Sequence, residues 1–390
     1  MRRLIAAVLF PLACASPGIP PGGPPDAAAP QIVAITPDSG SVGVKPKEVV
    51  FHFDEVVQER PPGVTTLGDL FLISPRDGVP DVSWHRNAIA VKPAHGFRAN
   101  TPYTVIMMRG LADLRGNVRN AGATTFFSTG PTIPRTRISG RVFDWVSGTP
   151  ATGALIESFV MPDTLHPYVA LADSGGSFVL EYLPPGRYTM RAYVDRNKNL
   201  GIDPSEPWDS VLVNLTDSAR AELLVFVHDS LPPRIRDVST VDSLTLQVAF
   251  DKPVDPAQTL TAANFAIIGP DSAPVPIASA GPPPKDTSAK AAPPVVRPPT
   301  PLRAPASRRA DTTTVVTPVM SRPIPISNAI IKLQHPLPPK VAHRVRAIGI
   351  RGLLGQTGDS EHAYTRPAPP PPAPPKPAVT PPASPPPVKK

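Results

Sequence analysis

The densest set of side chains able to do chemistry lies in one stretch of twelve residues, Asp195-Arg196-Asn197-Lys198-Asn199-Leu200-Gly201-Ile202-Asp203-Pro204-Ser205-Glu206. Side-chain oxygens fall at its first, third, fifth, ninth and twelfth positions (Asp195, Asn197, Asn199, Asp203, Glu206), and Gly201 at the seventh would offer its carbonyl. That is the donor spacing of a calcium loop, because a hard cation takes oxygens from a loop that curls around it. Ile202 fills the usual apolar eighth position. Leu200 stands at the sixth, where glycine normally makes the sharp turn, and Gly201 follows one place late. The strand-like pair Tyr193-Val194 precedes the stretch, so it reads as a loop on a β-scaffold rather than one between paired helices. Two readings stay open here: a calcium site that stiffens the loop, or an Asn/Asp-rich surface turn with no ion.

The other constellations are poorer. Asp54 and Glu55 are neighbours on a strand pattern and so point to opposite faces; they cannot flank one bond as an acid–base pair and are expected to end the strand. The eight histidines are dispersed, with no His-x-x-x-His and no Cys/His cluster, which leaves zinc unsupported. The chain has no Gly-x-Ser-x-Gly elbow and no phosphate loop. The expectation is therefore a protein that is not an enzyme. Trp84, Trp145 and Trp208 are the aromatic faces that a sugar would use, although core or rim packing is the commoner role of such residues.

Cys14 is the single cysteine, so no disulfide forms within the chain. It follows a positive Met1-Arg2-Arg3 and an apolar run, Leu4 to Ala13, too short to span a bilayer and ending in small residues. Pro11-Leu12-Ala13-Cys14-Ala15 resembles a bacterial lipobox, with Pro11 in place of the usual aliphatic residue. That resemblance implies a signal peptide over 1–13 and a cysteine sulfur that receives diacylglycerol. The alternative is an ordinary secretory signal with an incidental cysteine. Ala15 after the cysteine, rather than Asp, resembles the sorting pattern of outer-membrane lipoproteins in diderm bacteria. Residues 14–30, rich in Pro and Gly, then read as a tether.

The elements that must position these residues follow from the prolines. With 59 of them in 390 residues, long helices and central parallel sheets are excluded, because proline fixes φ and lacks an N–H donor. All-β architecture survives, with disordered proline-rich tracts between compact parts. In 31–130, Val49-Val50-Phe51-His52-Phe53 predicts a strand with both phenylalanines on one face and His52 on the other. Phe51-His52-Phe53-Asp54-Glu55-Val56-Val57, Asn100-Thr101-Pro102-Tyr103-Thr104-Val105, Gly110-Leu111-Ala112-Asp113 with Gly116-Asn117, and Phe126-Phe127-Ser128-Thr129 resemble the bacterial Ig-like domain of the S-layer-protein (SbsA) type. That family serves as spacer and adhesion scaffold.

Segment 136–228 opens with Ile138-Ser139-Gly140-Arg141-Val142-Phe143-Asp144 and continues through Gly175-Gly176-Ser177-Phe178-Val179-Leu180 to Leu183-Pro184-Pro185-Gly186-Arg187-Tyr188-Thr189-Met190. It is similar to the prealbumin-like carboxypeptidase regulatory-like module, which carries no catalytic residues. Phe178 and Leu180 should alternate inward, and Tyr188 and Met190 should begin the return strand.

Segment 232–366 reads as a worn copy of the first. Leu244 to Asp251 answers the Val49 strand, Asn264 to Ile268 answers Asp69 to Ile73, Asn328 to Ile331 answers Asn87 to Ala90, and Ile350 to Leu353 answers Met108 to Leu111. The Asp-x-x-Gly-Asn turn is lost from it. A disordered excursion over 270–323 interrupts it, because a packed loop of that length inside a sandwich is improbable. A proline-rich basic tail, 367–390, closes the chain.

The formal net charge is +8, but the basic residues are scattered, with no Arg-rich helix or aromatic-interleaved patch, so nucleic acid is not expected. The leading expectation is a non-catalytic cell-envelope lipoprotein, exported and lipid-anchored, acting as scaffold or as adhesion or binding module. Its partners would be the membrane and an anionic envelope polymer or surface protein. The alternative is an accessory, carbohydrate-binding subunit of a secreted hydrolase or polysaccharide-handling system.

Overall fold

The computed structural model describes residues 26–284 and 320–368. Cys14, the signal segment, most of the tether, the middle of the insertion and nearly all of the tail lie outside the described residues. The architecture is all-β, and no described helix is long and apolar enough to cross a membrane.

Domain 1 contains β1 (Ile32–Thr36), β2 (Val49–Phe53), β3 (Phe71–Ser74), β4 (Asp81–Trp84), β5 (Ala88–Lys92), β6 (Pro102–Met107) and β7 (Ala123–Ser128). The sheet β1-β2-β5-β4 packs on the sheet β3-β6-β7. Alternation does this: Val49, Phe51 and Phe53 point inward with Ile89 and Val91 of β5, while His52 faces away. Phe51 meets Phe71 of the facing sheet at 5.5 Å between ring centroids. The tether ends earlier than expected, since Asn117 Nδ2 donates to the Asp26 carbonyl (3.1 Å) and Arg119 Nη1 to that of Pro30 (3.1 Å).

Domain 2 contains β8 (Arg137–Asp144), β9 (Thr149–Pro150), β10 (Leu155–Val160), β11 (Tyr168–Leu171), β12 (Ser177–Glu181), β13 (Gly186–Tyr193), β14 (Pro207–Leu215) and β15 (Ser218–Val227). The order is β11-β10-β13-β14-β15-β8-β12, with β9 beside β8. β14 and β15 pair only at Pro207↔Val227 and Trp208↔Phe226, so the sheet folds over there into two layers. Phe178, Leu180, Tyr188 and Met190 all enter the core between the layers, as their spacing requires. β15 runs parallel to β8.

Domain 3 contains β16 (Ile235–Asp242), β17 (Thr245–Val254), β18 (Phe265–Ile268), β19 (Pro274–Val275), β20 (Ile277–Gly281), β21 (Ile326–Leu333), β22 (Ala342–Arg351) and β23 (Thr357–Thr365). Its sheets, β16-β17-β21-β20 and β19-β18-β22-β23, repeat the order of domain 1 with β19 added. The repeat extends to single bonds. Asp54 accepts the Gln31 N–H (2.8 Å), and Asp251 in the same place accepts that of Arg234 (2.7 Å). Before β3, Asp69 reaches back to the Thr66 N–H (3.2 Å); before β18, Asn264 does so to Thr261 (3.0 Å).

Five expectations for this domain need correction. The Asp-x-x-Gly-Asn turn is not lost but rewritten as Gly352-x-x-Gly355-Gln356. The Asp113 N–H donates to the Asn117 carbonyl and the Gly116 N–H to that of Asp113, both 3.2 Å; Gly352, Gln356 and Gly355 repeat both bonds at 2.9 Å. The backbone carries the motif, with Gly116 at φ +89 and Gly355 at φ +86, so the side chains were free to change.

It follows that Ile350, buried like Leu111, answers Leu111 and not Met108, since Val254 bridges Gly352 as Val57 bridges Asp113. Two other alignments slip by one residue, the first only from Phe265 onward, since Asn264 keeps the place of Asp69. Phe265 and Ile267 pair with β22 as Phe71 and Ile73 do with β6, and Ala329 stands opposite Val248 as Ile89 stands opposite Phe51. A slip of one residue exchanges the faces of a strand, so the inward set decides the register.

Finally, 270–284 is not an irregular excursion. β20 takes the edge position that β4 holds in domain 1, and Val275, Ile277 and Ala280 pack on the core. Pro274 is tolerated because β19 is an edge strand, and Pro276 falls between β19 and β20. Composition averaged over the whole insertion hides this apolar alternation.

Candidate functional site

The loop 195–206 leaves β13 and returns into β14. Its side chains close it on itself. Asp195 accepts the N–H groups of Asn199 (3.2 Å) and Leu200 (2.9 Å), and Glu206, only 2% exposed, accepts those of Arg196 (2.7 Å) and Asp203 (3.2 Å). The amides of Asn197 and Asn199 converge on Asp203 Oδ2, at 2.6 and 3.1 Å. Leu200 adopts φ +58, the left-handed conformation that glycine supplies at the sixth position of a calcium loop.

The third, fifth and ninth positions are thus brought together. The three carboxylates of Asp195, Asp203 and Glu206 do not place one oxygen each within 4.8 Å of one another; among the described residues only Asp26, Glu55 and Asp113 do. Gly201 donates its N–H to Asn199 Oδ1 (2.8 Å). As it stands, the arrangement is a loop fastened by protein donors, in which an ion would compete with backbone N–H groups for Asp195 and Glu206.

The Asp26–Glu55–Asp113 cluster lies where the chain enters domain 1. Burial raises the Glu55 carboxyl above its usual range, and the charges of Asp113, Asp26 and Asp54 add to that. Burial pushes Asp113 upward as well, but hydrogen bonds from Asn117, Arg115 and Gly116 outweigh it and hold the group below the ordinary carboxylate range. The sequence pattern places Asp54 and Glu55 as strand-ending residues, which Asp54 is; the convergence of Glu55 with two residues distant in sequence carries no local signal.

The tryptophans do not form a sugar platform between them. Trp84 is half-buried and spends its N–H on the Val57 carbonyl (2.9 Å). Trp145 is 6% exposed, donates to the Pro323 carbonyl (3.0 Å), and has the Arg322 guanidinium 5.7 Å from its ring. One face of Trp208 is stacked on His228 at 3.9 Å.

What the sequence did not disclose is the joint between domains 1 and 2. Leu72, Leu155, Val169 and Tyr193 form a buried cluster across it, joined by Met108, Leu200 and Ile202, so the 195–206 loop is itself built into the joint. Glu157, 2% exposed on β10, ion-pairs with Arg76 of domain 1 and with Arg191 (3.2 Å), and Tyr193 Oη donates to it (3.2 Å). Val169 N–H donates to Ser74 Oγ (2.9 Å), and Arg76 N–H to the Pro167 carbonyl (2.7 Å). At the rim, Arg98 pairs with Asp163 (2.9 Å). The signal was present in the unbroken apolar run Phe71-Leu72-Ile73, which means a strand covered on both faces.

Three sandwiches, the first and third sharing one strand order, make a multidomain β-protein. Residues 26–129, which make up domain 1, match the bacterial Ig-like domain family. No curated protein sequence matches the chain. Solved structures with partial similarity include the major pilin subunit BcpA of Bacillus cereus (8% identity, 51% of this chain and 71% of that one, TM-score 0.18). An L,D-transpeptidase from Mycobacterium smegmatis aligns at 17% identity over 50% of this chain and 76% of that one, TM-score 0.19. Domains 1–6 of the surface layer protein SbsC align at 10% identity over 89% of this chain and 55% of that one, TM-score 0.20. Superpositions this loose carry no argument about activity or partners.

Proposed function

We propose that the protein is a non-catalytic scaffold of the bacterial cell envelope, exported and anchored through acylated Cys14, the single cysteine sulfur that its composition offers to a lipid. The observation that carries the scaffold reading is the joint at Glu157: burying a carboxylate with two guanidiniums between domains is tolerable only when the partners are held in one geometry, and that fixes domain 2 on domain 1. The prealbumin-like motif of domain 2 supports a non-catalytic role, since that module carries no catalytic residues. The outer membrane is the proposed location, from the residue after Cys14.

Fractionation of cells expressing the full chain tests the anchor. Wild type should sediment with membranes and partition into detergent, whereas Cys14→Ser should leave the membrane fraction. Equal membrane retention of the two would refute the anchoring. Hydrolysis of peptidoglycan or polysaccharide by the purified protein would refute the non-catalytic role.

A further inference from the structure

The outer face of the β15-β8-β12 layer in domain 2 is divided in two. In one half, Phe143, Trp145, Leu224 and Phe226 form an apolar cluster covered by Leu353 of domain 3 and by Met320. The other half is open. It carries Arg137, Ser139 and Arg141 on β8, Arg220 and Glu222 on β15, and Ser177 and Val179 on β12. These residues face outward because Ile138, Val142, Phe178, Leu180 and Leu223, which alternate with them, fill the core.

A shallow depression of about 690 Å³ opens among Ser139, Arg141, Ser177, Val179, Arg220 and Glu222. Arg137, Arg141 and Arg220 are exposed, and none makes an ion pair among the described residues.

The acids on this face do not neutralise it. Glu222 stands opposite Arg141 in register but accepts both the N–H (3.1 Å) and the hydroxyl of Ser321. Glu181 lies at the margin, opposite Arg137. The chain re-enters the described structure at Met320, on the rim of this face, from a stretch (285–319) with six Lys/Arg against two Asp. Three exposed arginines without ion pairs among the described residues favour an anion on this face.

Arg220 stands in register with Ser139, midway between Arg137 and Arg141. Strand rise and spacing then set successive arginines about 8 Å apart along the face. We propose that this face docks an extended carboxylate-bearing polysaccharide, the guanidinium forks taking carboxylates and Ser139 and Ser177 bonding sugar hydroxyls. The choice of polysaccharide rests on the envelope location proposed above; the binding itself does not depend on the lipid anchor.

The test is titration of the full chain carrying Cys14→Ser with polygalacturonate, followed by calorimetry, with dextran as the neutral control. Arg141→Gln/Arg220→Gln should bind about tenfold more weakly, with an unchanged melting temperature. Arg344→Gln/Arg346→Gln, which removes the same charge from β22 in domain 3, should bind as wild type. Ser321→Ala removes the hydroxyl bond but keeps the N–H bond to Glu222, so it should weaken binding less than Arg141→Gln/Arg220→Gln does. No binding by the parent, or equal loss in both double variants, overturns the proposal. Tighter binding of single-stranded DNA than of polygalacturonate would reassign the face to nucleic acid. Membrane release by Cys14→Ser with no polygalacturonate binding would remove this site and leave the scaffold reading standing.

Discussion

Replacing Glu157 by Gln removes one charge from the joint between domains 1 and 2 while keeping the side chain's volume, so no cavity confuses the outcome. The carboxylate is 3% exposed and Arg76 is 15% exposed, whereas Arg191 is 39% exposed. Arg191 therefore regains water and costs little. Arg76 does not: its guanidinium stays in the joint without its counter-charge, and breaking a buried pair from one side costs about 3–5 kcal/mol. For a cooperative unit of the size of domains 1 and 2 together, that lowers the melting midpoint by roughly 10 °C.

Scanning calorimetry on the full chain should show this loss, and limited proteolysis should show new cleavage between β7 and β8. The double variant Arg76→Leu/Glu157→Leu should recover most of the loss, because an apolar pair needs no desolvation. A Glu157→Gln midpoint within about 2 °C of wild type would falsify the reasoning.

Other expectations follow from the same geometry. Asp163 feels burial, which raises it, but bonds from Leu165, His166 and Arg98 prevail and bring it down from 3.8 to about 2. Its stabilising contribution is present above pH 3.8 and is lost as pH falls through about 2. After discounting for solvent screening, Asp163→Asn should cost about 1 kcal/mol at pH 7 and almost nothing at pH 2, read by denaturant melts. Glu206→Ala leaves the N–H groups of Arg196 and Asp203 unpaired and should cost about 2–4 kcal/mol, equally in calcium and in chelator. A loss confined to calcium-containing buffer would instead assign the loop to the ion. Gly176→Ala should destabilise more than Gly116→Ala, as compared by thermal melts: both glycines have positive φ, but a Cβ at 176 meets the Val142 carbonyl, whereas at 116 it meets nothing.

The strands were legible wherever one face is buried and the other is wet. Val49 to Phe53 and Ser177 to Glu181 alternate cleanly, and their inward residues are core. Asp113-x-x-Gly116-Asn117 was legible as a turn, but its counterpart at Gly352 was not, because only the glycine conformation and two backbone bonds persist. Glu157 illustrates a different limit. Within Leu155-Ile156-Glu157-Ser158-Phe159 a glutamate reads as a solvent-facing residue, and its burial comes from a domain about 80 residues earlier in the chain, which no local period records. The loop 195–206 lies between: its donor spacing was legible, whereas the capture of Glu206 by backbone N–H groups depends on how β13 and β14 deliver its two ends.

The parallel pairing of β8 with β15 bears on how domain 2 responds to being pulled. β8 is the strand by which the chain enters the domain and β15 the strand by which it leaves, and they are in register from Arg137↔Ser218 to Asp144↔Val225. Tension applied through the neighbouring domains draws the two strands past each other lengthwise. All the bonds between them are then loaded together, whereas a hairpin pulled at its open end gives way bond by bond. A domain that passes load from one neighbour to the next gains most from that arrangement.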